Sequence, residues 1–119
     1  MYEKYNALVT SLKALTQGES PNTVTLPMAD GEWSTRPDTV SYGLVNLDFE
    51  ADALQGDDRK HDTAGAGSVD LFSLVRDGAG WVPLITGALE EHCGTCWQLN
   101  SHTYERDTGL FHWEWTFEV

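Results

Sequence analysis

The chain has 119 residues, 40% of them hydrophobic and 22% charged, and its seven basic against nineteen acidic residues give a net charge of −12. That length suits one domain, residues 1–119, which buries roughly two-thirds of its unfolded surface and so needs neither metal nor disulfide to hold a core. The charge excludes a sequence-independent nucleic-acid binder, which sets clustered Lys and Arg against phosphates; Arg59-Lys60 is the sole adjacent basic pair, and no sequence-specific nucleic-acid contact is expected either.

Tyr2, Tyr5, Leu8, Val9, Leu12 and Leu15 recur at helical spacing, which predicts an amphipathic helix over residues 2–15. Gln17-Gly18 closes it in this reading, glycine being the usual residue past a helix end. The opening MYEKYNALVTSLKAL lacks the basic-then-apolar order and cleavage site of a secretion signal. No apolar run approaches the ~20 residues of a membrane span. A cytosolic chain with no membrane partner is therefore expected. Ser20-Pro21-Asn22 is a break, Val24-Thr25-Leu26 a short candidate strand, and residues 27–39 a Pro/Gly/Asp-rich loop containing Trp33.

Residues 40–49 read as a strand. Val40, Tyr42 and Leu44 share one face; Val45, Leu47 and Phe49 share the other. The apolar side changes near residues 43–46, which predicts a bulge or burial on both faces. Residues 50–68 form a long polar insert, a length that in compact domains marks function or disorder; two strand arms meeting at Gly56-Asp57-Asp58 fit as well. Residues 69–75 form the next strand, whose partner is expected to be the strand at residues 40–49. Arg76-Asp77-Gly78-Ala79-Gly80 turns the chain. Trp81, Leu84, Ile85, Ala88 and Leu89 then mark a second helix, with Pro83 tolerated in its first turn. It ends near Glu91-His92.

The last stretch, WQLNSHTYERDTGLFHWEWTFEV, alternates apolar and polar residues on both sides of Arg106-Asp107-Thr108-Gly109. That pattern predicts a C-terminal β-hairpin, with Trp113, Trp115 and Phe117 in the core against the helices. The order helix, strand, insert, strand, helix, hairpin predicts an α+β fold: an antiparallel sheet of about four strands with two helices packed on one face.

Few residues offer chemistry. Cys93-Gly94-Thr95-Cys96 is a CxxC, but it follows a helix, at the pole where the dipole does not lower a thiol pKa. As a zinc site it has only His92 beside it and no second CxxC. A tight turn is the plain reading of Cys93, Cys96 and His92; metal binding and redox catalysis are its rivals. Asp48, Glu50 and Asp52 alternate along a strand, with Asp57, Asp58 and Asp62 beyond, yet the glycine and closing glutamate of a calcium loop are missing. Ser68, Ser73 and Ser101 lack a nucleophile-elbow context. His61, His92, His102 and His112 are scattered, and His112 is expected to be exposed or at an interface, facing away from the aromatic side of its strand. Gly65-Ala66-Gly67-Ser68 precedes a strand and not a helix, so no dinucleotide loop is read there.

The segment GSVDLFSLVRDGAGWVPLITGALEEH, followed by CWQLNSHTYERDTGLFHWEWTFEV, resembles the tail-terminator and head–tail joining (neck) proteins of long-tailed bacteriophages and prophages. The resemblance covers residues 40–119 and lies in element order and hydrophobic texture. It implies a structural, non-enzymatic protein without cofactor that assembles with itself into a ring, typically a hexamer. Its other partners would be tail-tube and head–tail connector proteins, and its location the virion, or the bacterial cytoplasm during assembly. The ring contacts implied fall on sheet edges and long loops: here the 50–68 insert, with Asp57, Asp58, Arg59 and Lys60 pairing in trans, and the 69–75 strand, with Asp70 and Phe72. The long loop bearing Trp33 and the CxxC depart from that pattern. A rival reading takes the net charge at face value, as a DNA-mimic-type inhibitor with a basic protein partner.

Overall fold

The computed structural model describes residues 3–50 and 65–119. The first helix, α1, spans Glu3–Lys13 and buries Tyr5, Leu8, Val9 and Leu12. It stops short of the expected end because Thr16–Gln17 leaves the axis as β1 and pairs antiparallel with β2, Val24–Thr25. Gly18 therefore serves the turn between those two strands and caps no helix. Its φ of 88° suits glycine, and a Cβ there would lie 2.7 Å from the Asn22 carbonyl oxygen.

The expected loop at residues 27–39 contains a third strand, β3, Met28–Asp30. It pairs in parallel with β4, Ser41–Glu50, so the main sheet is mixed and has five strands where an antiparallel sheet of about four is expected. Three residues without alternation leave no periodicity to read. β5 spans Gly65–Ser73, taking four residues from the expected insert and giving back Leu74 and Val75. A 3-10 turn at Gly78–Gly80 leads into the second helix, α2, Trp81–Cys93. The hairpin is β6, Trp97–Glu105, and β7, Leu110–Glu118. The sheet order is β3-β4-β5-β7-β6, every pair after the first antiparallel. β4 pairs with β5 as the sequence predicts. The last strand of the chain is interior, however, and β3 and β6 form the two edges.

Both helices cover one face of that sheet. Leu8 and Leu12 of α1 and Ile85 and Leu89 of α2, all fully buried, meet Val45, Val69, Leu71, Trp113, Trp115 and Phe117. Each such side chain contributes roughly 1.5–3 kcal/mol by leaving water. β4 is covered on both sides, as its double pattern predicts: Val45 faces the helices, and Tyr42 is buried on the opposite face. Its register shift falls between Leu47 and Phe49, slightly beyond the expected position. A second shift, between Leu99 and Ser101, bends β6.

Candidate functional site

The helix-free face of the sheet carries the most organised group of polar and aromatic side chains. Tyr42 lies opposite Phe72 across β4 and β5, and Phe72 opposite His112 across β5 and β7. Strand spacing places directly opposed rings within stacking range. Tyr42 and Phe72 stack at 5.0 Å with planes 18° apart, and Phe72 and His112 at 4.2 Å and 21°. Trp33 closes the row edge-on to Tyr42 at 6.3 Å, its indole N–H donating to the Gly43 carbonyl at 2.9 Å. Arg36 lies over the Tyr42 ring, 5.7 Å from its centroid. Each aromatic pair is worth about 0.5–1.5 kcal/mol beyond its buried area, which ties the segment between β3 and β4 onto the sheet.

His112 ends the row between two carboxylates. Its Nε2 lies 2.7 Å from Asp70 Oδ1 on β5, and its Nδ1 2.9 Å from Glu105 Oε2 on β6. Ionised carboxylates only accept, so this arrangement favours the imidazolium, in which both ring nitrogens donate. The hydrogen bond to Asp70 raises the pKa of His112 most; burial opposes it, and Glu105 adds to the rise. Burial likewise raises the pKa of the Tyr42 phenol, with Arg36 opposing. An imidazolium whose two N–H groups are both engaged has no lone pair with which to act as a general base. His112 instead fastens β5, β6 and β7 together. It is half-buried rather than exposed, because residues diagonal to it on both neighbouring strands carry partners for its two nitrogens.

The other sequence-derived candidates lie apart. Cys93 is the buried last residue of α2 and Cys96 is exposed; both are free, and the Cys96 N–H closes a turn on the Cys93 carbonyl at 2.9 Å. Burial first, and Cys96 second, push the Cys93 thiol up to about 11, the reverse of a thiolate site. The His92 ring turns toward α1, with Nε2 2.6 Å from Ser11 Oγ. Glu91 approaches that same nitrogen at 3.6 Å. In a Ser-His-carboxylate triad the acid holds the far nitrogen, so this trio lacks that order. His102 stacks on Trp113 at 4.2 Å. Among the described residues, no group of three His, Cys, Asp or Glu side chains is placed to hold a metal ion, and no helix is long and apolar enough to cross a membrane.

Of the expected ring contacts, Asp57, Asp58, Arg59 and Lys60 lie outside the described residues, as does His61. Asp70 and Phe72 are engaged within the fold by His112 and Tyr42. The expectation that their strand offers a sheet edge is corrected. β5 is hydrogen-bonded to β4 on one side and β7 on the other, so the edges of this sheet are three-residue β3 and nine-residue β6. The aromatic row itself was missed in the sequence. The polar-face positions of Phe72 and His112 are visible there, but their opposition depends on the β5–β7 register, which no local pattern fixes.

A cleft of about 590 Å³ lies at the end of the sheet where β4 begins, with Val24, Pro27, Val40 and Trp81 among its walls and Asp38 the only charged residue among the described residues lining it. No protein-family model, curated protein or solved structure matches the chain.

Proposed function

We propose that this chain is a structural subunit of a long-tailed bacteriophage or prophage. It closes into a ring at the end of the tail tube or at the neck, as a tail terminator or head–tail joining component. The observation carrying this reading is the order of elements: an N-terminal helix, the long antiparallel β4–β5 pair with the polar segment between its arms, a helix, and a closing hairpin in the same sheet. Nine-residue β6 supports it, since an open edge strand is a template for another chain. The role is structural, with no cofactor. The partners are further copies of the chain, as a hexamer, together with tail-tube and connector proteins, in the virion or in the host cytoplasm before assembly.

The DNA-mimic reading is weaker. Such an inhibitor displays its carboxylates to a basic partner, whereas Asp70 and Glu105 are spent on His112. Negative-stain electron microscopy of the purified chain, alone and with tail-tube protein, tests the proposal. Rings of one diameter are expected. Dispersed monomers in both samples would reject it.

A further inference from the structure

Six large hydrophobic side chains are exposed among the described residues: Val24, Val40, Leu74, Val75, Leu99 and Tyr104. All but Leu99 gather at one pole of the sheet. Val24 and Val40 line the cleft together. The Leu74 N–H donates to the Val40 carbonyl at 2.9 Å. Tyr104 packs on Phe111, the cross-strand partner of Ser73, at 4.9 Å. Exposed apolar side chains gathered at one end of an otherwise acidic chain mark an interaction surface. It is also held rigidly. Ser41 and Ser73, both buried, are hydrogen-bonded at 2.8 Å beneath it, and the Ser73 hydroxyl accepts from the Val75 N–H. A surface ordered before contact loses less entropy on binding.

The pole has two unlike halves. One is the cleft, whose lining has Asp38 as its sole charge. The other is a knob, Leu74 and Val75, followed by Arg76, whose guanidinium lies 6.0 Å from the Phe111 ring centroid, and neighboured by the hairpin turn with Arg106. The pole, from Arg36 and Asp38 to Arg76-Asp77 and the Glu105–Asp107 turn, holds three of the chain's seven basic residues but only four of its nineteen acidic ones. The pole's net charge is therefore −1 of the chain's −12, so like-charge repulsion between copies is weakest there.

We infer that the pole is the contact between copies of this chain: the Leu74–Val75 knob of one copy seats in the cleft of the next, and Arg76 meets Asp38. The contact is head-to-tail when each copy's knob enters the cleft of a different neighbour, and such contacts close into rings when the rotation permits. The inference rests on the ring reading above for its partner, and it moves the contact from the 50–68 insert and the β6 edge to the pole. The apolar residues supply the affinity, while the Arg76–Asp38 pair sets the register.

Sedimentation velocity over a concentration series tests it, with near-UV circular dichroism confirming that each variant is folded. Leu74→Asp is expected to weaken self-association at least about a hundredfold, equivalent to two decades of dissociation constant. Asp38→Arg and Arg76→Asp are each expected to weaken it about tenfold, and the double variant Asp38→Arg/Arg76→Asp to return within about threefold of the original. Leu99→Asp, on β6 away from the pole, is expected to leave assembly unchanged. Assembly that survives Leu74→Asp, a charge exchange that restores nothing, or loss of assembly with Leu99→Asp alone would overturn the pole while the ring reading stands. An unsubstituted chain that stays monomeric would overturn both.

Discussion

The two faces of the one sheet are built on different physics, although their residues alternate along the same strands. Val69 and Leu71 point into a dry layer of helix side chains, while Asp70 and Phe72, alternating with them, point into a row of rings ended by an ion cluster. The dry face is non-directional: it depends on how much apolar surface leaves water and on filling space. The other face is directional, and depends on ring geometry and on His112 keeping its proton. The first secures the fold. The second holds the segment between β3 and β4 in place and locks the hairpin to β5.

The contrast can be broken most forcefully at Trp115. It is fully buried on the helix-covered face, and Trp115→Ala is expected to cost about 3–5 kcal/mol in urea unfolding. The same truncation at its neighbour Thr116, on the opposite face, is expected to cost far less, and equal losses would erase the distinction. Next comes Gly67. A Cβ there would sit 1.9 Å from the Asn46 carbonyl oxygen and 2.9 Å from Phe117 Cζ. Gly67→Ala is expected to cost about 2–3 kcal/mol, seen as a lowered midpoint at unchanged slope.

On the directional face, His112→Gln is expected to cost about 1–3 kcal/mol at pH ~6, since it leaves the Asp70 and Glu105 carboxylates incompletely paired. The pH dependence has a definite sign. The folded pKa of His112 is raised, so its contribution is complete below the ordinary histidine value and is lost as pH rises through the folded one. The gap between the unsubstituted chain and His112→Gln should therefore narrow from pH ~6 to pH ~9; a gap that widens would contradict the imidazolium. The smallest effect is expected at Trp33→Phe, which keeps a ring beside Tyr42 but removes the N–H bonded to Gly43, for about 1 kcal/mol.

The same contrast explains what was legible in the sequence. Helix spacing in α1 and α2 and strict alternation in β7 are local consequences of a one-sided dry core, and they located Leu8, Leu12, Ile85, Trp113 and Trp115 directly. Short β3 has no period to display, and Gly18 looked like a helix cap because the β1–β2 pairing that uses it is two residues long. The aromatic row and the His112 clamp depend on register between β4, β5, β7 and β6, a relation that exists only once the sheet forms. The face of His112 is therefore legible in the sequence, while its contacts with Asp70 and Glu105 are not. The pole is hidden for a similar reason: Val40 and Leu74 fall within the strands that the sequence predicts at residues 40–49 and 69–75, and only the fold brings both to the surface beside the cleft.

Native mass spectrometry of the purified chain across a concentration series tests the central claim, self-assembly into a closed ring, most directly. The account predicts one discrete stoichiometry, a hexamer, that gives way to monomer on dilution without a ladder of larger species. A monomer at every concentration, or an open-ended distribution of sizes, would contradict it.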